Sequence, residues 1–410
     1  MHDSNNNIPQ PNSYYTSLDG IRGLGCILVL TIHYHFQYIN LPFILAYTAL
    51  HTFFIMSAYL ISRNLLKEKA LSKNFFEFFK VFYIKRTARI FPIYFLYLFI
   101  VIIIFVLIKL ITNQTAFGVI SELKRYGWML FTFTYNLKMQ IASNDGLKDY
   151  MGCFLFPHLW SVSLEEQFYL VVIFLIWLCN KNTLRFICIT LIVIIPIIRI
   201  CGYYYLTKKN NDDFLTTLTL IHSPYYQFDA FFYGIGMAVF DIKKSKKFLF
   251  VFAITLIVIL GHAIINSYIF AEKLNISIFT ALRDEKFLYK NYGIYFLDIT
   301  INLFSCAWIY CVIFYPKILS FFANRILVKY GELSYGLYIF QFLALGAGLI
   351  TTIVFIKFAN FSMAIAQIFG FAVYMVVIYW IVIWLRKKVE IPVSKWKGRL
   401  LIKYRRSNNR

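Results

Sequence analysis

Residues 90–111 read IFPIYFLYLFIVIIIFVLIKLI, an apolar run interrupted by a single charge, Lys109. Coiled as an α-helix at 1.5 Å per residue, a run of this length reaches roughly 33 Å, enough to cross about 30 Å of hydrocarbon. Working outward from it, comparable runs appear at Gly20–Phe36, Pro42–Ser62, Leu159–Cys179, Leu184–Leu206, Tyr225–Phe240, Phe248–Phe270, Tyr292–Tyr315, Leu333–Phe355 and Phe361–Leu385. Tyr225–Phe240 is short, Leu159–Cys179 contains charge, and Trp128–Tyr135 is too short to span and reads as re-entrant or interfacial. The expected fold is all-α: a polytopic membrane bundle of about ten transmembrane helices. With 60% apolar residues, 20% aromatics and a mean hydropathy of +0.66, the chain cannot be an ordinary soluble globule.

Basic residues near helix ends favour the cytoplasmic side. Placing both termini there puts 27 Lys and Arg inside, eight of them from Arg63 to Arg89 and ten from Arg386 onward, against 11 outside. The net charge of +22 is then mostly a membrane-surface feature, facing anionic lipid heads, and nucleic-acid binding is not needed to explain it. Residues 1–17 read as a polar cytoplasmic tail without the basic start and apolar core of a secretory signal, 18–386 as the membrane domain, and 387–410 as a basic cytoplasmic tail too small for a further soluble domain. Of seven cysteines only Cys153 falls in an outward loop, which excludes a disulfide framework, and no spacing suggests a metal site. Oligomeric state is not legible.

Ionisable groups inside spans are costly and point to sites. Arg22 and His33 in the first span are eleven residues apart, close to three turns, hence on one stripe about 16 Å apart. A neutral imidazole such as His33 can take a proton from a hydroxyl near neutral pH; the plainer reading is a histidine bonded to a neighbouring helix. His35 faces away from His33. The stretch Pro157 to Tyr169 places His158, Trp160, Ser161, Ser163, Glu165 and Glu166 at the start of the fourth span. Either glutamate could orient a histidine, whereas Ser161 or Ser163 could simply cap the helix. Arg86 and Arg89 share a helix face and suit phosphate oxygens, unless they only anchor the chain at the membrane. Arg199, Asp229, His262 and Asp298 add polar groups in or near spans.

Together these blocks resemble the acyltransferase-3 family of bacterial membrane O-acyltransferases, which includes O-antigen acetylases. The matching segments, in order along nearly the whole chain, are Leu18–Gly23 followed by His33, Phe53–Ile61, Arg86–Pro92, His158–Tyr169, Phe228–Gly234 and Leu333–Tyr338. The resemblance implies acetyl-coenzyme A or another acyl-coenzyme A as donor, no metal, and a glycan or lipid-linked glycan acceptor such as lipopolysaccharide O-antigen or exopolysaccharide, at the bacterial inner membrane. It implies His33 as the catalytic histidine paired with Arg22, Arg86 and Arg89 as the donor motif, and Glu165 and Glu166 as the double-glutamate segment. Asp19, His158, Trp160, Ser163 and Asp229 are expected on the substrate side. Departures from the family pattern are Ala58 for glycine, Gln227 for arginine and Gln341 for histidine.

The expected mechanism holds donor phosphates on Arg86 and Arg89 while His33, oriented by Arg22 and Glu165 or Glu166, acts as general base. A covalent acyl-histidine is a variant. Transfer is completed by this membrane domain alone or by a separate partner on the outer side. The rival reading is a transporter, which would favour paired Gly/Pro-interrupted helices in two halves, a pattern not found here.

Overall fold

Lipid offers the backbone no hydrogen bonds, so each membrane-crossing segment must satisfy its own; among the described residues every regular element is accordingly helical. The computed structural model describes residues 11–34, 42–112, 119–138, 141, 155–210, 213–240, 242–283, 288–289 and 293–408; His35 and Cys153 lie outside them. The helices are α1 (Pro11–His33), α2 (Phe43–Leu71), α3 (Phe75–Thr112), α4 (Val119–Phe131), α5 (Leu159–Leu178), α6 (Lys181–Asn210), α7 (Asp213–His222), α8 (Pro224–Val239), α9 (Lys247–Leu274), α10 (Ile278–Arg283), α11 (Gly293–Phe314), α12 (Arg325–Ala359), α13 (Met363–Leu385) and α14 (Ile391–Asn408). Eight of them, α2, α3, α5, α6, α9, α11, α12 and α13, are long and apolar enough to cross a membrane. The other two predicted runs lie in α1, which carries Asp19 and Arg22, and in α8, whose 16 residues rise only about 24 Å. Trp128–Tyr135 falls on the end of α4 and the start of a 3-10 turn, Tyr135–Leu137.

Large apolar side chains point outward on α6, where Phe186, Ile189, Val193 and Ile197 are exposed, and on α9, where Phe250, Ile254, Ile257 and Ile264 are exposed. Spacings of three, four or seven residues put each set on one helical face, as a lipid-facing surface requires. The interior holds polar groups, Arg199 and Asp229 among them.

α1 lies against α12 and α2, and α8 against α2 and α6. Small residues permit the closest approaches. A Cβ on Gly23 would fall 1.9 Å from the Leu327 carbonyl oxygen, and one on Gly331 would fall 1.8 Å from that of Asp19. The α1–α12 seam is thus backbone against backbone, and it carries both Arg22 and the residues facing His33. Ala58 is fully buried where α2 meets α8, and a Cβ on Gly234 would come within 2.6 Å of its methyl. The alanine is therefore matched by a glycine on the opposing helix. Gly23→Leu should separate α1 from α12 and remove the monodisperse folded peak in fluorescence-detected size exclusion, whereas Gly261→Leu, which meets nothing within 4 Å, should leave it unchanged.

The basic C-terminal segment is helical. A π-turn, Arg386–Glu390, leads from α13 into α14, which packs on α3. Arg405 Nη2 lies 2.7 Å from Glu68 Oε1, Lys85 Nζ lies 2.8 Å from Glu68 Oε2, and Lys80 Nζ sits 4.4 Å above the Tyr404 ring. The two most basic stretches of the chain thereby meet at one end of the bundle.

Candidate active site

At that basic end four separate sequence blocks converge. α3 presents Arg86 and Arg89 one turn apart, α5 presents Glu165 and Glu166, α1 presents Arg22, and α2 presents Ser57. Glu165 Oε1 accepts from Tyr169 Oη at 2.6 Å and from Ser57 Oγ. Tyr169 is one turn beyond Glu165 on α5, and its ring also receives the Arg86 guanidinium, 5.5 Å from its centroid, with Phe82 at 5.8 Å. Arg22 pairs with Asp19 at 2.8 Å and lies within Coulombic reach of Arg89 and Glu165. Arg86 is in turn within reach of Arg89, Glu165 and Glu166.

Because adjacent helical residues diverge by about 100°, the two glutamates have different surroundings. Glu166 faces the Tyr83, Tyr94 and Tyr335 side. Among the described residues, Glu166 Oε1 and Arg86 Nε are buried without a hydrogen-bond partner. Buried polar atoms are rarely left so, and here a donor and an acceptor both remain open beside one another's charge, which suits a polar ligand.

Further into the bundle stand the histidines. His33 Nδ1 lies 2.8 Å from Gln341 Oε1. His158, just before α5, donates from Nε2 to the Ile339 carbonyl at 3.0 Å, so its lone pair is on Nδ1, which is buried and without a partner among the described residues. Both imidazoles rest on Phe342, with ring centroids 5.2 Å and 4.9 Å away. Tyr338 Oη donates to the His158 carbonyl at 2.7 Å and lies 2.7 Å from Ser161 Oγ. α12 thus contributes Tyr338, Ile339, Gln341 and Phe342 to the frame of the histidine pair, and α3 adds Tyr97, whose ring meets His158 edge-on at 5.5 Å.

The expected partners of His33 are rearranged. Its described hydrogen bond goes to Gln341 on α12, while Arg22 holds Asp19 and Glu165 holds Ser57 and Tyr169, because eleven residues of helix separate Arg22 from His33. Neither serine caps α5 through its side chain: His158 is the N-cap residue, and Ser163, fully buried, donates to the Leu159 carbonyl within its own helix. Trp160 packs on His222 at 4.4 Å between centroids.

Asp229 belongs to a different cluster. Arg199 on α6 donates to Asp229 Oδ1 on α8 at 2.6 Å, to Asp298 Oδ2 on α11 at 2.9 Å and to the Tyr226 carbonyl at 2.7 Å. Asn302 donates to Asp229 Oδ2 at 3.2 Å and turns its Oδ1 to His51 Nδ1, 2.8 Å away. His51 Nε2 faces Asp298 Oδ1 at 4.0 Å, and Tyr289 Oη donates to Asp298 Oδ2 at 2.9 Å. Gln227 donates to Tyr47 Oη and to the Leu220 carbonyl, each at 3.1 Å. Asp229 is fully enclosed by protein, in a buried ion network tying α2, α6, α8 and α11 together.

Sequence reasoning passed over Ser57, Tyr169, His51 and Asn302, and left Arg199 without a role. Tyr169 had a signal, its four-residue spacing from Glu165; Ser57 lay inside a quoted motif; the His51–Asn302 pairing had none. Among the described residues no cluster of His, Cys, Asp and Glu could hold a metal ion.

Comparison with known proteins adds the following. A family model described as an acyltransferase domain matches residues 15–386. The peptidoglycan O-acetyltransferase OatA of Listeria monocytogenes is 25% identical over 342 residues, covering 80% of this chain and 49% of the relative. The O-acetyltransferase OatA of Staphylococcus aureus is 24% identical over 340 residues, covering 80% and 50%. The chain spans about half the length of these relatives. No solved structure matches it.

Proposed function

The chain belongs to the acyltransferase-3 family, and from that premise we propose that it transfers acetyl from acetyl-coenzyme A to a hydroxyl of a cell-surface glycan, within the bacterial cytoplasmic membrane. The observation that carries this is the alignment of Arg86, Arg89 and the glutamates at the basic end with His33 and His158 further along the bundle. The donor has the same polarity, phosphates at one end and thioester at the other. The name of the Listeria monocytogenes relative favours a peptidoglycan-type acceptor over lipopolysaccharide.

In this mechanism the arginine forks hold phosphate oxygens. With Nδ1–H donating to Gln341, His33 carries its lone pair on Nε2 and takes the acceptor's proton there. The acceptor oxygen bonds to the thioester carbonyl carbon, the C–S bond breaks, and the coenzyme A thiolate leaves with the proton returned from His33. Glu165, held by Ser57 and Tyr169, keeps the Arg22 and Arg86 side charges oriented.

The test is mass spectrometry of peptidoglycan and of lipid-linked glycan from cells expressing the intact protein, a His33→Ala variant or neither. An acetyl mass that appears only with the intact protein supports transfer and identifies the acceptor. Accumulation of substrate in proteoliposomes without thioester consumption would instead establish a transporter. Arg86→Ala combined with Arg89→Ala should raise the KM for acetyl-coenzyme A by about 10²–10⁴-fold with kcat little changed, each lost charge-assisted bond costing about 1.5–3 kcal/mol; steady-state kinetics in nanodiscs reads this.

A further inference from the structure

The donor site as described so far has no explanation for α14. This helix runs antiparallel to the first half of α3. Tyr404 sits over Lys80 at one end of the seam and Arg405 over Glu68. Seven residues earlier, about 10 Å back along the helix, Lys397 comes within Coulombic reach of Lys85, Arg86 and Arg89. Earlier still, Glu390 in the π-turn lies within reach of Arg89 and Arg386. The register is thus continuous from Lys80–Tyr404 to the turn.

What it brings together is an excess of positive charge. Glu68 already spends one oxygen on Lys85 and the other on Arg405. Among the described residues Arg86, Arg89 and Lys397 take part in no ion pair, and Lys397 is only half-exposed. Solvated basic residues repel and spread apart; these are held near one another by a helix docked on α3, which keeps the lysine within Coulombic reach of the arginine pair. Such an arrangement is stable when a multiply charged anion sits among them, and phosphate oxygens are the ligand that arginine forks and a lysine ammonium share.

We propose that α14 is a wall of the donor site, with Lys397 contacting a phosphate at the nucleotide end of coenzyme A opposite Arg86 and Arg89. The inference rests on the acyl-coenzyme A reading above and extends it from the arginine motif to the C-terminal helix. The same phosphate chemistry could come from anionic lipid heads, and the experiment separates the two.

The full chain is reconstituted in nanodiscs of neutral lipid and given either acetyl-coenzyme A or S-acetylpantetheine, which has the same thioester and arm without phosphates. Lys397→Ala should raise the KM for acetyl-coenzyme A about tenfold, leave kcat unchanged, leave the KM for S-acetylpantetheine unchanged, and be rescued by Lys397→Arg. Equal changes with both donors would mean that the lysine only supports the fold, and would overturn the proposal. So would unchanged kinetics with both donors, or a Lys397→Ala defect seen only when anionic lipid is added, which would assign the cluster to lipid. Equilibrium binding of coenzyme A to the intact protein and to Lys397→Ala gives an answer independent of turnover. If the intact protein acetylates nothing, the transferase reading fails, while a tenfold weaker Kd in the variant still supports this site and an equal Kd overturns it.

Discussion

His33→Ala is expected to lower kcat for acetylation by about 10²–10⁴-fold, the usual contribution of a positioned general base, with the protein still accumulating as a folded membrane species. The fold should survive because α1 is held to α12 by backbone-close contacts at Gly23 and Gly331, which do not involve His33. Gln341→Leu provides the sharper comparison. It removes the acceptor that fixes Nδ1–H while leaving the imidazole in place, so kcat should fall by about tenfold, with donor KM unchanged. His158→Ala separates the two imidazoles: its Nε2 is committed to the Ile339 carbonyl, and a smaller loss than that of His33→Ala would assign it to the acceptor side. Should His33→Ala retain full acetylation in purified form, the general-base assignment falls.

The second large effect is on stability. Arg199→Ala leaves Asp229 and Asp298 enclosed without their shared cation, and breaking a buried ion pair on one side typically costs about 3–5 kcal/mol. Against the 5–15 kcal/mol that holds a typical native fold together, that removes a large share of the margin and, at the low end, nearly all of it. The variant should therefore show a smaller monodisperse peak in size exclusion and a lower unfolding temperature, before any activity is measured. Replacing the charges together, as Arg199→Met with Asp229→Asn and Asp298→Asn, removes the uncompensated carboxylates and should recover much of the peak. A triple variant no better than Arg199→Ala would show that the geometry of the network, rather than charge compensation, is what α2, α6, α8 and α11 require.

Much of the candidate site was legible because membrane proteins seldom keep charge without a use. Arg22, Arg86, Arg89, Glu165 and Glu166 stand out against apolar neighbours, and the structure links them, with Arg22 in reach of Arg89 and Glu165, and Arg86 in reach of Arg89 and both glutamates. The departures from the family pattern were legible as positions and opaque as roles. Gln341, read as a missing histidine, is the hydrogen-bond partner of His33. Gln227, read as a missing arginine, lies beside a network whose arginine comes from Arg199, thirty residues before Asp229. Loss of a residue at one position and its supply from another helix cannot be seen along a single chain, because the two share no local spacing.

By itself the sequence determined the solvent and the helical class, since apolar length and the demand for internal backbone hydrogen bonds act locally. It also determined which side chains were too costly to bury without purpose. Only the tertiary structure decided partnership: that Asp229 belongs to Arg199, that His33 belongs to Gln341, that Gly23 and Gly331 set how closely α1 and α12 approach, and that the basic end of the chain lies along α3. Hydrogen bonds and ion pairs act over about 3 Å in space and carry no memory of separation along the chain, so these pairings become visible only once the helices are packed.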